Sequence, residues 1–243
     1  MASVYRQAAA LISAHQPCAA LTGAGISAES GIPTFRSQGG LWEKFDPAVY
    51  ASIDLFRRDP SKYWSIRGEF IRNYDAYRPN PGHLALAEME ALGLLRRVIT
   101  QNIDGLHRKA GSRNVTEIHG SLREVDCLAC GKQYRAPHVP AGTPPFCECG
   151  GVLKPSTVLF GEPLPPEALE SAWREAESCG VMLVIGTSAV VQPAASLPFV
   201  ARDHGAKIVE INPESAFPGA DLSIPENAGA ALPKIMAELK ETR

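Results

Sequence analysis

Cys18-Ala19-Ala20-Leu21-Thr22-Gly23-Ala24-Gly25-Ile26-Ser27-Ala28-Glu29-Ser30-Gly31-Ile32-Pro33-Thr34-Phe35-Arg36 runs from an apolar segment into a glycine-rich turn. A short unbroken apolar run that ends at such a turn reads as a buried strand. Gly23 and Gly25 carry no Cβ, so the backbone can turn tightly and its N–H groups can approach a pyrophosphate. The dinucleotide fingerprint G-x-G-x-x-G is left incomplete, because Ala28 stands where the third glycine belongs and the next glycine is Gly31. Three further segments narrow the reading: Gln101-Asn102-Ile103-Asp104, the pair His119-Gly120, and four cysteines between 127 and 149.

The same grammar recurs along the chain. Val4, Ala8, Leu11, Ile12 and His15 stand at helical spacing and Pro17 closes that segment before the first strand. Further buried strands are expected at Arg97 to Thr100, Val181 to Ile185 and Ala206 to Ile211. Helical segments lie at Pro81 to Leu92, Pro165 to Ser178, Pro193 to His204 and Ala228 to Lys240. Apolar strands without alternation, separated by helices, predict an α/β fold: a Rossmann-like parallel sheet covered on both faces. Ligands of such sheets bind beyond the carboxyl ends of the strands, where Gly23, Gln101, Gly186-Thr187-Ser188 and Asn212-Pro213 all fall.

Two stretches interrupt this order and are expected to form a small domain. Residues 37–80 carry a helical pattern at Tyr63, Ile66, Phe70, Tyr74 and Tyr77, started by Asp59-Pro60, and read as a helical insert. Residues 123–151 hold the cysteines, His138 and a proline-rich loop, and read as a metal module. The remaining segments, 1–36, 81–122 and 152–243, then make up the nucleotide-binding domain.

Composition limits the rest. The chain has 243 residues, 45% hydrophobic and 21% charged, with a formal net charge of −2. That gives no general basic field, so direct nucleic-acid binding is not expected. No apolar stretch approaches the roughly 20 residues needed to span a bilayer, and the N-terminus lacks the pattern of a secretory signal. A cytoplasmic monomer that does not engage membranes is the expectation. Six cysteines are too few for a disulfide scaffold in a chain of this length, and four of them cluster, which favours reduced thiols and a metal.

Cys127 and Cys130 form a C-x2-C pair, and Cys147 and Cys149 a C-x-C pair after sixteen intervening residues. Glycines follow both pairs and permit the turn that lets two thiolates converge on Zn²⁺. Four thiolates leave no open coordination position, so one structural zinc is expected. The second spacing is shorter than usual, which keeps His138 as an alternative ligand. Gln101 to Asp104 follow a buried strand, where amides and an acid need hydrogen-bond partners. A ligand with hydroxyls and a carboxamide would supply them, as would a turn in which Asp104 caps the next helix. His119 reads either as a base or as a structural residue.

Gly23 to Ser27, Gly31 to Arg36, Gln101 to Asp104, His119-Gly120, the four cysteines, Phe160-Gly161-Glu162, Gly186-Thr187-Ser188 and Asn212-Pro213 stand in the order found in sirtuins. The chain thus resembles a compact prokaryotic member of that family. The resemblance implies an NAD-dependent protein-lysine deacylase that consumes NAD as co-substrate and acts on acylated lysine side chains of proteins. By the same resemblance, Asn102 and Asp104 belong around the nicotinamide carboxamide and ribose, with Ile103, and Gln101 near the ribose hydroxyls. His119 is the implied general base on a ribose hydroxyl, and nicotinamide and O-acyl-ADP-ribose are the implied products. Phe35 would shield the anomeric carbon from water. Gly23, Ala24, Gly25, Ser27, Thr34, Arg36 and Trp42 would also contact the cofactor. Gly186, Thr187, Ser188, Asn212, Pro213 and Glu214 would hold the adenosine half, with Ala228 closing over adenine. The peptide would enter as an extended strand between Val158-Leu159-Phe160-Gly161-Glu162 and Ala189-Val190-Val191.

The resemblance has one departure. Bacterial members of the subgroup often carry Tyr-x-x-Arg on the insert helix, where the arginine pairs with a succinyl or malonyl carboxylate; the corresponding positions here are Arg67 and Phe70. The expectation is therefore removal of acetyl or another neutral acyl group, with Phe70 lining the pocket and the Arg67 stem lying on the apolar face. The alternative is an Arg67 that still reads an acyl carboxylate. Two other classes compete: a zinc-ribbon binding module, disfavoured by the near-neutral charge, and an NAD-dependent oxidoreductase, which the His119-Gly120 placement fits less well.

Overall fold

The computed structural model describes residues 2–32, 51–65, 76–136 and 143–241. Helix α1 (Val4–Ala14) is followed by strand β1 (Cys18–Thr22) and a 3-10 helix over Ala24–Ser30. Next come α2 (Ile53–Arg58), α3 (Pro81–Ala91), β2 (Arg97–Thr100), α4 (Leu106–Lys109) and β3 (Val115–Glu117). Strands β4 (Gly120–Cys127), β5 (Gln133–Arg135) and β6 (Leu153–Thr157) precede α5 (Pro166–Ser178) and β7 (Val181–Ile185). The chain continues through α6 (Leu197–Asp203), β8 (Lys207–Ile211), β9 (Leu222–Ile224) and α7 (Ala228–Glu241).

Six strands form one parallel sheet in the order β3-β2-β1-β7-β8-β9. The chain builds outward from β1 in one direction and then from β7 in the other, so the order reverses between these two strands, the doubly wound arrangement in which ligands bind at the reversal. β1 is buried along its whole length, with its two faces in different cores. Cys18 and Ala20 pack with Ala8, Ile12, Leu86, Ala231 and Ile235 under α1, α3 and α7. Ala19 and Leu21 pack with Ala172, Ala176, Leu197 and Ala201 under α5 and α6. Each fully buried aliphatic side chain in these layers contributes roughly 1.5–3 kcal/mol of transfer free energy.

Helix starts follow local chemistry. Asn80 caps α3, its Oδ1 accepting from the Gly82 and His83 N–H groups, and Pro81 occupies the first helical position. Residues 60–65 are helical, and Asp59 Oδ1 accepts from the Lys62 N–H, the cap implied by Asp59-Pro60. The expected helix from Pro193 is divided into a 3-10 turn at Ala194–Ser196 and α6.

A second, three-stranded antiparallel sheet, β5-β4-β6, occupies Gly120 to Thr157. Val125 and Leu153 of this sheet, with Leu159 beyond its end, pack with Phe56, Tyr63 and Trp64, and the Trp64 Nε1–H donates to the Leu153 carbonyl at 3.1 Å. Among the described residues no helix is long and apolar enough to cross a membrane.

Candidate active site and zinc centre

Register assembles the site. Thr22 of β1 stands beside Thr100 of β2 and Ile185 of β7, and Ile185 stands beside Ile211 of β8. The next residues, Gly23, Gln101, Gly186 and Asn212, therefore form one row across the carboxyl edge of the sheet. Hydrogen bonds lace this row together. Gln101 Nε2 donates to Thr187 Oγ1 at 2.9 Å, Asn212 Nδ2 to the Thr187 carbonyl at 2.8 Å, and the Gly186 N–H to the Ile211 carbonyl at 3.0 Å.

The glycines of the first turn answer to this neighbour as well. The Gly23 N–H donates to the Ile185 carbonyl at 3.0 Å and the Gly25 N–H to the Gly186 carbonyl at 2.8 Å. A Cβ on Gly25 would lie 2.7 Å from Gly186 Cα, and one on Gly23 2.8 Å from the Gly186 carbonyl oxygen. Close contact between the β1 and β7 turns requires glycine here, and these two N–H groups are bonded within the protein rather than held ready for a phosphate.

Asn102 and Asp104 are buried against the 3-10 helix. Asn102 Nδ2 donates to the Gly23 carbonyl at 2.9 Å and to Ser27 Oγ at 3.2 Å, while Ser27 Oγ–H donates to Asp104 Oδ2 at 2.7 Å. Asp104 Oδ1 accepts from the Leu106 N–H at 2.9 Å, closing a turn before α4, whose cap position is Gly105. Burial pushes the Asp104 carboxyl above the usual carboxylate range, and its bonds from Leu106 and Ser27 act against that shift. Ile103 is half-buried, and its carbonyl accepts from the Leu122 N–H.

His119 lies just beyond β3. Its Nδ1 is 3.0 Å from the Gln101 carbonyl oxygen, which can only accept, so Nδ1 carries the proton and Nε2 keeps its lone pair. Burial lowers the imidazole below its ordinary value of 6.5, partly offset by that bond, so the ring is neutral at neutral pH. The His119 carbonyl accepts from the Val158 N–H at 2.9 Å, which ties the histidine to the segment expected to meet peptide. Gly120 has φ +75°, and a Cβ there would stand 1.9 Å from the Ser156 carbonyl oxygen. Glycine after the histidine is thus dictated by β6.

In the expected peptide segment, the Leu159 N–H donates to Glu162 Oε2 at 2.8 Å and the Phe160 N–H to the Ala51 carbonyl at 2.9 Å. The Phe160 and Val190 side chains are exposed, at 47% and 63%, whereas Leu159 is core. Gly161 has φ +89° and Ala189 φ +50°. Thr187 and Ala228 are buried, and Ser188, Pro213 and Glu214 are exposed. Thr34, Phe35, Arg36, Trp42, Arg67, Phe70 and His138 lie outside the described residues.

Several supporting residues escaped the sequence reading. Thr22 Oγ1 lies 2.8 Å from Thr100 Oγ1 and 2.9 Å from His107 Nε2, and Thr100 Oγ1 accepts from the Asn102 N–H. Buried Glu210 accepts from the Ala216 and Phe217 N–H groups and the Ser215 hydroxyl, holding the loop after Asn212. An acid inside the run Ile208-Val209-Glu210-Ile211 was the available signal. The buried Lys154 ammonium donates to the Thr157 carbonyl at 2.7 Å and to Glu162 Oε2 at 3.0 Å.

The four cysteine sulfurs, from Cys127, Cys130, Cys147 and Cys149, all lie within 4.8 Å of one another. Cys127 and Cys149 are 3.5 Å apart and Cys130 and Cys147 3.6 Å. A tetrahedral Zn–S4 centre with bonds of about 2.3 Å has edges of about 3.8 Å. The cysteines are positioned to bind one zinc ion, and the C-x-C pair reaches it without His138.

The Sir2 family profile matches residues 23–193. The chain is 49% identical over 236 residues to the NAD-dependent protein deacylase 2 of Pyrobaculum aerophilum, covering 95% of this chain and 94% of that protein. It superposes with a TM-score of 0.91 on a crystal structure of a Sir2 homolog–NAD complex, at 43% identity over 97% of this chain and 94% of the other. A third relative, a Sir2 structure with a deacetylated peptide and 3'-O-acetyl ADP ribose, has a TM-score of 0.90 and 35% identity over 96% and 97% of the two chains. The chain belongs to the Sir2 family.

Proposed function

We propose that the chain is an NAD-dependent protein-lysine deacylase that removes acetyl or other uncharged acyl groups and releases nicotinamide and O-acyl-ADP-ribose. The observation that carries this reading is the neutral His119 imidazole, oriented by the Gln101 carbonyl with Nε2 unprotonated, at the edge of the row from Gly23 to Asn212. The acyl-lysine carbonyl oxygen displaces nicotinamide from the ribose to give an imidate; His119 Nε2 then takes the proton of a ribose hydroxyl, that oxygen attacks the imidate carbon, and addition of water releases the lysine amine and O-acyl-ADP-ribose. Asn102 and Asp104, fixed through Ser27, orient the nicotinamide half. Thr187 and Asn212 hold the adenosine half, with Ala228 beside them. The substrate lysine enters along Val158 to Gly161 and Val190.

The same reading assigns residues 1–36, 81–122 and 152–243 to the NAD-binding domain, and 37–80 with 123–151 to the small domain. Zinc, held by the four cysteines, ties two knuckles together and takes no part in the reaction. A cytoplasmic location is the reading that the unpaired, clustered cysteines favour, and a monomer is the expected form.

Incubation with NAD and acetyl-, succinyl- and long-chain acyl-lysine peptides tests the proposal. Nicotinamide should appear only when an acyl peptide is present, fastest with an uncharged acyl group. A succinyl rate well above the acetyl rate would overturn the neutral-acyl assignment and point to Arg67. Formation of NADH would overturn the deacylase reading itself.

A further inference from the structure

One sulfur of the zinc centre has a side-chain neighbour besides the other cysteines. Cys147 belongs to the second knuckle, which is one residue shorter than the first. The Tyr134 hydroxyl lies 3.0 Å from Cys147 Sγ. A zinc-bound thiolate has no proton to give, so the hydroxyl is the donor. Sheet register delivers it: Tyr134 pairs with Val125, two residues before Cys127, and its ring packs in the cluster that contains Val125, Cys147 and Leu153. Lys132 Nζ lies 5.0 Å from the centre of the ring and binds Glu148 at 2.8 Å, flanking the same knuckle.

We propose that Tyr134 is a working part of the zinc centre: its hydroxyl gives the Cys147 sulfur of the shortened knuckle a hydrogen bond, and thereby slows zinc loss. Outer-shell bonds of this kind hold a ligand in its binding orientation, and their removal typically lowers metal affinity 10–100-fold. Tyr134→Phe keeps the ring and removes the donor.

The test follows zinc, not turnover. Zinc transfer from the full-length protein to a chromophoric chelator should be roughly 10–100-fold faster for Tyr134→Phe than for wild type. In protein reconstituted with Co²⁺, the thiolate-to-metal charge-transfer band should move to lower energy, because a sulfur relieved of a hydrogen bond donates charge more readily. Both changes together support the assignment. Faster release with an unmoved band would mean lost packing alone and would overturn it, as would an unchanged release rate. If Tyr134→Phe does not accumulate as folded protein, zinc release is compared in full-length Tyr134→His, whose ring restores a donor, and Tyr134→Leu, which has none; equal release rates from the two would also overturn it.

Discussion

The His119 Nδ1–H bond to the Gln101 carbonyl couples the proposed base to the end of the strand whose loop carries Asn102 and Asp104. One backbone oxygen thus sets the tautomer of the histidine and its distance from the residues proposed to hold the nicotinamide half. His119→Ala should lower deacylation by about 10²–10⁴-fold while the protein stays folded and still binds NAD. Because burial lowers the imidazole pKa, the acid limb of kcat/KM should lie below pH 6.5. A limb at or above 6.5, or substantial activity in the variant, would remove His119 from the role.

Acid stability should report the other buried histidines. Burial lowers His83 from 6.5 to about 4 and drives His107 well below 6.5, and their rings lie 4.9 Å apart. The unfolded chain takes up protons on these groups near pH 6.5 while the folded one does not, so stability is complete above that pH and falls as the pH drops toward 4. Asp104, shifted upward, acts in the opposite sense. Thermal unfolding across pH 4–7 should show a declining Tm on acidification, with a shallower decline in His83→Gln. A flat profile would contradict neutral buried rings.

Gly25→Ala places a methyl group 2.7–2.8 Å from Gly186 backbone atoms. Overpacking against backbone costs about 1–3 kcal/mol, and the two turns must separate to relieve it. The expected result is a lower Tm and a raised KM for NAD, measured by nicotinamide release. Wild-type values for both would show that the contact between the turns is dispensable.

Lys154→Met leaves Glu162 and the Thr157 carbonyl without the ammonium that bridges them. Removing one partner of a buried pair costs about 3–5 kcal/mol. Glu162 also holds the Leu159 N–H, so the peptide segment should loosen and the peptide KM should rise more than the NAD KM. Equal changes in both constants would argue for a global effect.

The strands that position the site were legible because β1, β2, β7 and β8 are buried on both faces, which leaves short, mostly apolar runs without strict alternation in the sequence. β3 and β9 are three residues each and went unread, as did β4, β5 and β6, which mix polar and apolar residues with no regular period. Asn102, Asp104 and His119 were found as types in a pattern, but their partners were not. The bridge that Ser27 makes between Asn102 and Asp104 was not read, and Thr22, Thr100 and His107 look like ordinary strand and helix residues until register brings them together. Gly25 was read for phosphate and is required by Gly186, a contact 161 positions away that no local spacing encodes.

The row from Gln101 through Gly23 and Gly186 to Asn212 has a consequence for how this scaffold can vary. Each member is the first residue past a strand of four or five residues, aligned by ladder pairing. Loops and helices between the strands can lengthen or shorten without disturbing the alignment, whereas one residue inserted inside any of the four strands would pull its member out of line. Mutational tolerance should therefore be banded, permissive to length change across the crossovers and intolerant in four narrow windows, so that an insertion scan alone would trace the outline of this edge of the sheet.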